Sequence, residues 1–326
     1  MEAYRTVVQP DVAMIDRVAI QAAITYKRDA VPLAKLNGLQ RCTKGGVEYY
    51  ESSEYGKFVG LYMQIRGNRA KVECSLHKLF SKWTGGTLDN SKVFTVDEAR
   101  ATMRGLLDCT GLSGFPVYVT YYEIGLSMQL SNEASKYIGL VSGIVSGTEN
   151  MFMEDAHFRE MCQKTTRKTK NVRKVYKIYD KTFEALDRCR RHVPPNILRI
   201  ETAYRKQKVP VGEFLGSYMD KTAGAFFRDW GGIQFPKAVI PVGNVRASQL
   251  QMEWAAAIMS LGEKEFLKQV EDKYVSGEIT PKQRRIRREF VKSWECTKSR
   301  FKEVTVNEGI EFFKALSDMQ NIVMSG

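Results

Sequence analysis

Val175-Tyr-Lys-Ile-Tyr-Asp-Lys-Thr-Phe-Glu184 is the stretch on which the rest of the chain turns. Its first half is β-branched and aromatic, which favours a strand, and its second half suits a helix. Tyr179 falls at the junction. A second strand-like run, Ile197-Leu-Arg-Ile-Glu-Thr-Ala-Tyr204, follows the Pro194-Pro195 break and carries Glu201 at its centre. Upstream, Pro116 to Met128 is rich in β-branched and aromatic residues. It has apolar side chains at both parities, which predicts a central strand covered on both faces. Glu123 sits in its middle. A carboxylate inside such a strand is costly to bury unless it is paired or binds a cation.

Working outward, Met14 to Ile20 alternates as a strand, with Asp16, Val18 and Ile20 expected on one face. Phe58–Ile65 and Ala70–Leu79 read as a hairpin around Arg66-Gly67-Asn68-Arg69. Val72, Cys74 and Leu76 are expected to face a core, with Glu73, Ser75 and His77 opposite. Thr95-Val-Asp-Glu98 is a capping box that opens a helix ending near Gly111. After Val209 the composition turns helical, with one irregular stretch around Trp230 to Asn244. Thr280-Pro281-Lys-Gln283 starts another helix, with Ile286, Phe290 and Trp294 expected on one side. The expected fold is therefore α+β. A mostly antiparallel sheet with helices on one face fills a domain over 1–208, and a helical, basic domain covers 209–326.

The 326 residues carry a net charge of +13, which points to a polyanionic partner. No apolar run reaches the roughly 18 residues of a spanning helix, so a membrane partner is not expected. The six cysteines form no Cys-x-x-Cys pair, which argues against a zinc ribbon and for buried thiols in a reducing cytosol. The three histidines, His77, His157 and His192, form no His-x-His pair. A catalytic metal would then rest on carboxylates, which favours Mg²⁺ or Mn²⁺. Glu123, Glu201, Glu73 and Asp16 are the candidate ligands.

From Met161 to Ile178 there is no acidic residue. Lys164, Arg167, Lys168, Lys170, Arg173, Lys174 and Lys177 stand there instead. A second basic cluster, including Arg284, Arg285 and Arg288, occupies the 281–292 helix. Both suit contact with a phosphate backbone. A tyrosine beside cations and strand-borne carboxylates suits attack on a phosphodiester, with Tyr179 as nucleophile and Lys177 and Lys181 holding phosphate oxygens.

Tyr179-Asp-Lys181-Thr-Phe-Glu184 resembles the Tyr-x-Lys-x-x-Glu stretch of filamentous-phage replication initiators, the gene II/X endonuclease family. More distantly it is similar to plasmid rolling-circle initiators. Met14-Ile-Asp16, Val72-Glu73, Tyr121-Tyr-Glu123-Ile and Leu198-Arg-Ile-Glu201 resemble other strands of that family in order, over roughly residues 14–208. Tyr-Tyr-Glu stands where the family has Arg-Ile-Asp. The resemblance implies a relative of the HUH endonuclease fold in which carboxylates replace the histidine pair. It also implies a metal-dependent nicking enzyme that cuts one strand of a single-stranded or supercoiled origin, leaving a 5′-phosphotyrosyl link and a free 3′-hydroxyl. It implies a host helicase and polymerase as partners and the cytoplasm of a bacterial host as the location, and it is compatible with a homo-oligomer. The rival reading is a basic nucleic-acid-binding protein without chemistry.

Overall fold

The computed structural model describes residues 15–53, 60–85, 94–146, 148–154, 162–166, 173–189, 193–243 and 246–325. The expected lead-in over 1–13, and Met14, Phe58, Val59, His157, His192, Arg167, Lys168 and Lys170, lie outside the described residues. So does the expected end of the helix after Tyr179 near Arg191.

The first half of the chain runs β1 (Arg17–Ala23), α1 (Tyr26–Leu36), β2 (Gln40–Lys44), β3 (Val47–Glu51), β4 (Leu61–Arg66), β5 (Arg69–Ser75), α2 (Leu76–Gly85), α3 (Val96–Cys109) and β6 (Val117–Gln129). Next come α4 (Ala134–Leu140), β7 (Gly143–Ser146), β8 (Thr148–Met151), β9 (Met153–Glu154), β10 (Cys162–Thr166), β11 (Lys174–Asp180), α5 (Lys181–Cys189) and β12 (Ile197–Tyr204). The large sheet has the order β2-β3-β4-β5-β1-β6-β12-β11-β10-β9, and β13 (Val209–Pro210) also pairs with β6. Its strand pairs are antiparallel. The expected α+β class with a mostly antiparallel sheet and a helical C-terminal region is what the chain adopts.

The period of two divides this sheet into an apolar and a polar face. Val18, Ile20, Val72, Cys74, Tyr122, Ile124, Leu126, Leu198, Ile200, Tyr176 and Ile178 share one face and are buried. Beyond β12 come a single helical turn, α6 (Val211–Glu213), a π-helical segment (Phe214–Tyr218) and α7 (Met219–Trp230). They cover this apolar face. Trp230 Nε1 donates to Thr202 Oγ1 at 2.9 Å, and the Phe214 ring lies 5.2 Å from that of Tyr122.

Three local expectations need correction. Asp16 precedes β1 instead of sharing the face of Val18 and Ile20. The strand expected to run to Leu79 stops at Ser75, because the Ser75 hydroxyl caps a helix by accepting from Lys78 N at 3.2 Å. His77 is therefore on α2, fully buried and stacked 4.8 Å from Phe94, away from Glu73. Of the thiols expected to be buried, Cys74 is, but Cys109 and Cys296 are exposed. The capping box on α3 and the Gly67-Asn68 turn form as expected.

The chain divides into two compact units, Met1–Gln234 with Glu311–Gly326, and Phe235–Ile310. The seam falls at 234/235, later than the 208/209 read from composition, because β13, Phe214 and α7 pack on the sheet. The C-terminal segment returns to the first unit, where the Glu311 carboxylate accepts from Ser131 N and Ser131 Oγ at 2.7 Å each.

The second unit holds α8 (Gln249–Leu261), α9 (Glu263–Val275), α10 (Pro281–Lys292) and α11 (Trp294–Thr297). The stretch expected to be irregular contains β14 (Ile233–Gln234), which pairs with β7 in the first unit, and β15 (Lys237–Pro241), which pairs with β16 (Phe301–Thr305) in the second. That second partner lies some sixty residues away, beyond the reach of local pattern. The last helix, α12, spans Asn307–Ser325. Of the three side chains expected on one side of α10, Phe290 and Trp294 join the core of this unit, whereas Ile286 is exposed.

Candidate functional site

The polar face of the sheet carries the site. In the antiparallel register Glu201 lies opposite Lys177 on β11 and Gly125 on β6, and Arg199 lies opposite Tyr179 and Ser127. Residues directly opposite share a face. Tyr179, Lys177, Arg199, Glu201 and Glu123 are thereby brought together from three adjacent strands.

The side chains form one continuous network. The Tyr179 hydroxyl donates to Glu201 Oε1 at 2.7 Å. The same oxygen accepts from Arg199 Nε at 2.8 Å. Arg199 is fully buried, and its other nitrogens donate to Ser127 Oγ at 3.0 Å and Asp16 Oδ2 at 2.7 Å. Asp16 also accepts from Ser75 Oγ at 2.7 Å. Lys177 Nζ bridges Glu201 Oε2, at 3.1 Å, and Glu123 Oε1. The cluster sets three carboxyl groups, Glu201, Glu123 and Asp16, against two cationic side chains, Lys177 and Arg199.

The electrostatics follow from this packing. Burial opposes ionisation of Glu201, but Lys177 and Arg199 outweigh it and hold the carboxyl well below its ordinary range. Glu123 is raised, by burial and then by the Glu201 charge. Burial, reinforced by Glu201, pushes the Tyr179 phenol well above its ordinary value. Lys177 is raised because Glu201 and Glu123 outweigh its desolvation. Tyr121, two residues before Glu123 on the same face, is raised by burial and by Glu123. In the resting site the phenol is therefore protonated and both cations are charged.

Other expected site residues lie elsewhere. Glu73 pairs with Lys71 and with Arg17, the latter at 3.6 Å. Lys181 opens α5 and pairs with Glu184 at 2.6 Å. Lys174 has the opposite parity to Lys177, so it faces the apolar side, where it pairs with buried Asp229. Arg173 is exposed at the edge of β11. In the second unit Arg284 and Arg288 both bind Glu271, at 2.6 and 3.4 Å, and Arg285 lies 3.7 Å from Glu289. The structure adds Arg199, Ser127 and Gly125 to the site. Arg199 was legible only as a neighbour of Glu201, and nothing in the sequence marked Ser127 or Gly125.

Glu123 and Glu201 are the residues that could hold a hard divalent cation. Glu123 and Glu201 present carboxylate oxygens to one point, where the Lys177 ammonium now stands as a cation. Mg²⁺ is commonly held by one or two carboxylates, with water and substrate phosphate completing its shell. Among the described residues no third carboxylate, histidine or cysteine joins that point. Also among the described residues, no helix is long and apolar enough to cross a membrane. No protein-family model matches the chain, and no curated protein matches it.

Proposed function

We propose that this chain nicks and rejoins a DNA strand, with Tyr179 as nucleophile and Glu201 as its proton acceptor. The observation that carries this reading is the 2.7 Å hydrogen bond from the Tyr179 hydroxyl to Glu201, beside the Lys177 ammonium. In the attack, the phenol oxygen bonds to phosphorus as its proton passes to Glu201. The bond from phosphorus to the 3′-oxygen breaks, and that oxygen takes a proton from solvent. The products are a 5′-phosphotyrosyl link and a 3′-hydroxyl. Rejoining reverses the steps, with the 3′-hydroxyl displacing Tyr179.

The phenol is hydrogen-bonded to Glu201 in the resting site, so the acceptor for its proton is in place when the oxygen attacks. Arg199 fixes the orientation of Glu201, and Lys177 lies two residues from Tyr179 on the same face. A Mg²⁺ or Mn²⁺ ion at Glu123 and Glu201 would supply charge neutralisation at the phosphate. The resemblance of the Tyr179–Glu184 stretch to rolling-circle initiators supports the same reading. With it come an origin as substrate, host replication proteins as partners, and a bacterial cytoplasm as location.

The test is covalent. Incubated with Mn²⁺ and end-labelled single-stranded oligonucleotides from its own replicon, the chain should give a denaturation-resistant adduct carrying only 3′-labelled fragments. Tyr179→Phe should give none, and an undiminished adduct in that variant ends the assignment.

A second reading, a nucleic-acid-binding protein without chemistry, is favoured by the internal pairing of Glu123, Glu201 and Asp16 with Lys177 and Arg199. It predicts salt-sensitive binding that is indifferent to divalent cations, and no adduct under any condition.

A further inference from the structure

The two cations of the cluster are held differently. Arg199 is inaccessible and is pinned by three side chains, Glu201, Ser127 and Asp16. The Lys177 side chain keeps a quarter of its surface exposed, and among the described residues it forms ion pairs with Glu123 and Glu201. An ammonium on a flexible four-carbon stem can be replaced and rehydrated, whereas a guanidinium locked in a planar fork cannot be without dismantling the fork.

Lys177 also stands where the two carboxylates converge. Removing it would leave two buried carboxylates facing one another with only the Arg199 charge, shared with Asp16, beside them. That arrangement favours a doubly charged hard ion over a singly charged ammonium. The released ammonium would remain on β11, on the same face as Tyr179 and two residues from it.

We propose that Lys177 is an exchangeable counter-ion: it closes the Glu123–Glu201 pair, is displaced by an entering Mg²⁺ or Mn²⁺, and then turns its ammonium toward the phosphate beside Tyr179. This rests on the reading of the carboxylate pair as a divalent-cation site. It makes cation entry and substrate-phosphate binding cooperative, because the ion frees the side chain that the phosphate uses.

The test uses the full chain and Mn²⁺ alone, titrated while the free-ion EPR signal is followed. Lys177→Met removes the competing positive charge, so it should bind Mn²⁺ at least ~10-fold more tightly than the parent. Adding Glu201→Gln to that variant should abolish the gain. An affinity no higher than the parent's, in a Lys177→Met chain shown to be folded by circular dichroism, overturns the proposal.

A second measurement avoids any mutation. Lysine acetylation of the parent chain, read by mass spectrometry, should be slow at Lys177 and should accelerate in saturating Mg²⁺. An unchanged rate at Lys177 counts against exchange whatever the variants do. The outcomes separate from the nicking question. Faster labelling with no covalent adduct retains the exchange and removes the nicking. An adduct that forms while Lys177 labelling ignores Mg²⁺ does the reverse.

Discussion

The Arg199 guanidinium packs against Gly125, so closely that a Cβ built on Gly125 would stand 2.5 Å from Arg199 Nη2 and 3.0 Å from Cζ. The glycine is there for close approach, because any side chain would occupy the space of the fork that orients Glu201. Gly125→Ala should cost about 1–3 kcal/mol by overpacking, read as a lower urea midpoint. Combined with Arg199→Leu, the two costs should add to less than their sum, since both act on one contact. Full additivity would show that the contact does not set the cost.

Arg199→Leu alone leaves Glu201 and Asp16 without their shared guanidinium. Breaking a buried pair from one side typically costs about 3–5 kcal/mol, and equilibrium unfolding should show a loss of that order. Arg199→Lys should recover only part of it, because one ammonium cannot span the acceptors that a planar fork reaches. A Lys variant as stable as the parent would reduce Arg199 to a simple charge.

Acid should unfold the chain partly through Glu201. Its carboxyl is held below the ordinary 4.5 in the folded state, so the unfolded chain takes up the proton first as pH falls. The stabilisation is present above 4.5 and is lost as pH drops below it. Glu123 is shifted the other way, so its contribution falls as pH rises from 4.5. Urea midpoints measured from neutral pH down to about 3 should fall less steeply in Glu201→Gln than in the parent. An equally steep acid limb would mean that other carboxylates govern it.

Lys174 and Arg173, neighbours in sequence, should separate in their effects. Lys174 pairs with buried Asp229, so Lys174→Ala should destabilise the fold by roughly 3 kcal/mol and leave the salt slope of DNA binding unchanged. Arg173 is exposed, so Arg173→Ala should leave stability within about 0.5 kcal/mol and lower the salt slope by about one. The opposite pattern would place the DNA path on the other face of β11.

In the second unit, Glu271 neutralises two of the arginines expected to meet DNA. Glu271→Ala should release both guanidiniums and tighten DNA binding at low salt, with little change in the urea midpoint because solvent screens surface pairs. Unchanged affinity would remove Arg284 and Arg288 from the interface.

The amino-acid sequence by itself determined the local decisions: the strand-to-helix switch at Tyr179, the central strand around Glu123, the Glu201 strand and the capping boxes at Thr95 and Thr280. Each rests on side-chain period or on a hydrogen bond between residues at most four apart, which is all that a linear pattern encodes. Tertiary structure alone decided which carboxylates meet. Glu123 and Glu201 converge because β6 and β12 pair with Glu201 opposite Gly125, whereas Glu73 finds Arg17 and Lys71 on its own part of the sheet. It likewise decided that Asp16, outside its strand, reaches an arginine 183 positions away, and that Gly125 leaves room for that arginine. The physical reason is register. Shifting a strand by one residue turns every side chain to the other face, and the pairing that fixes this depends on contacts far apart in the chain.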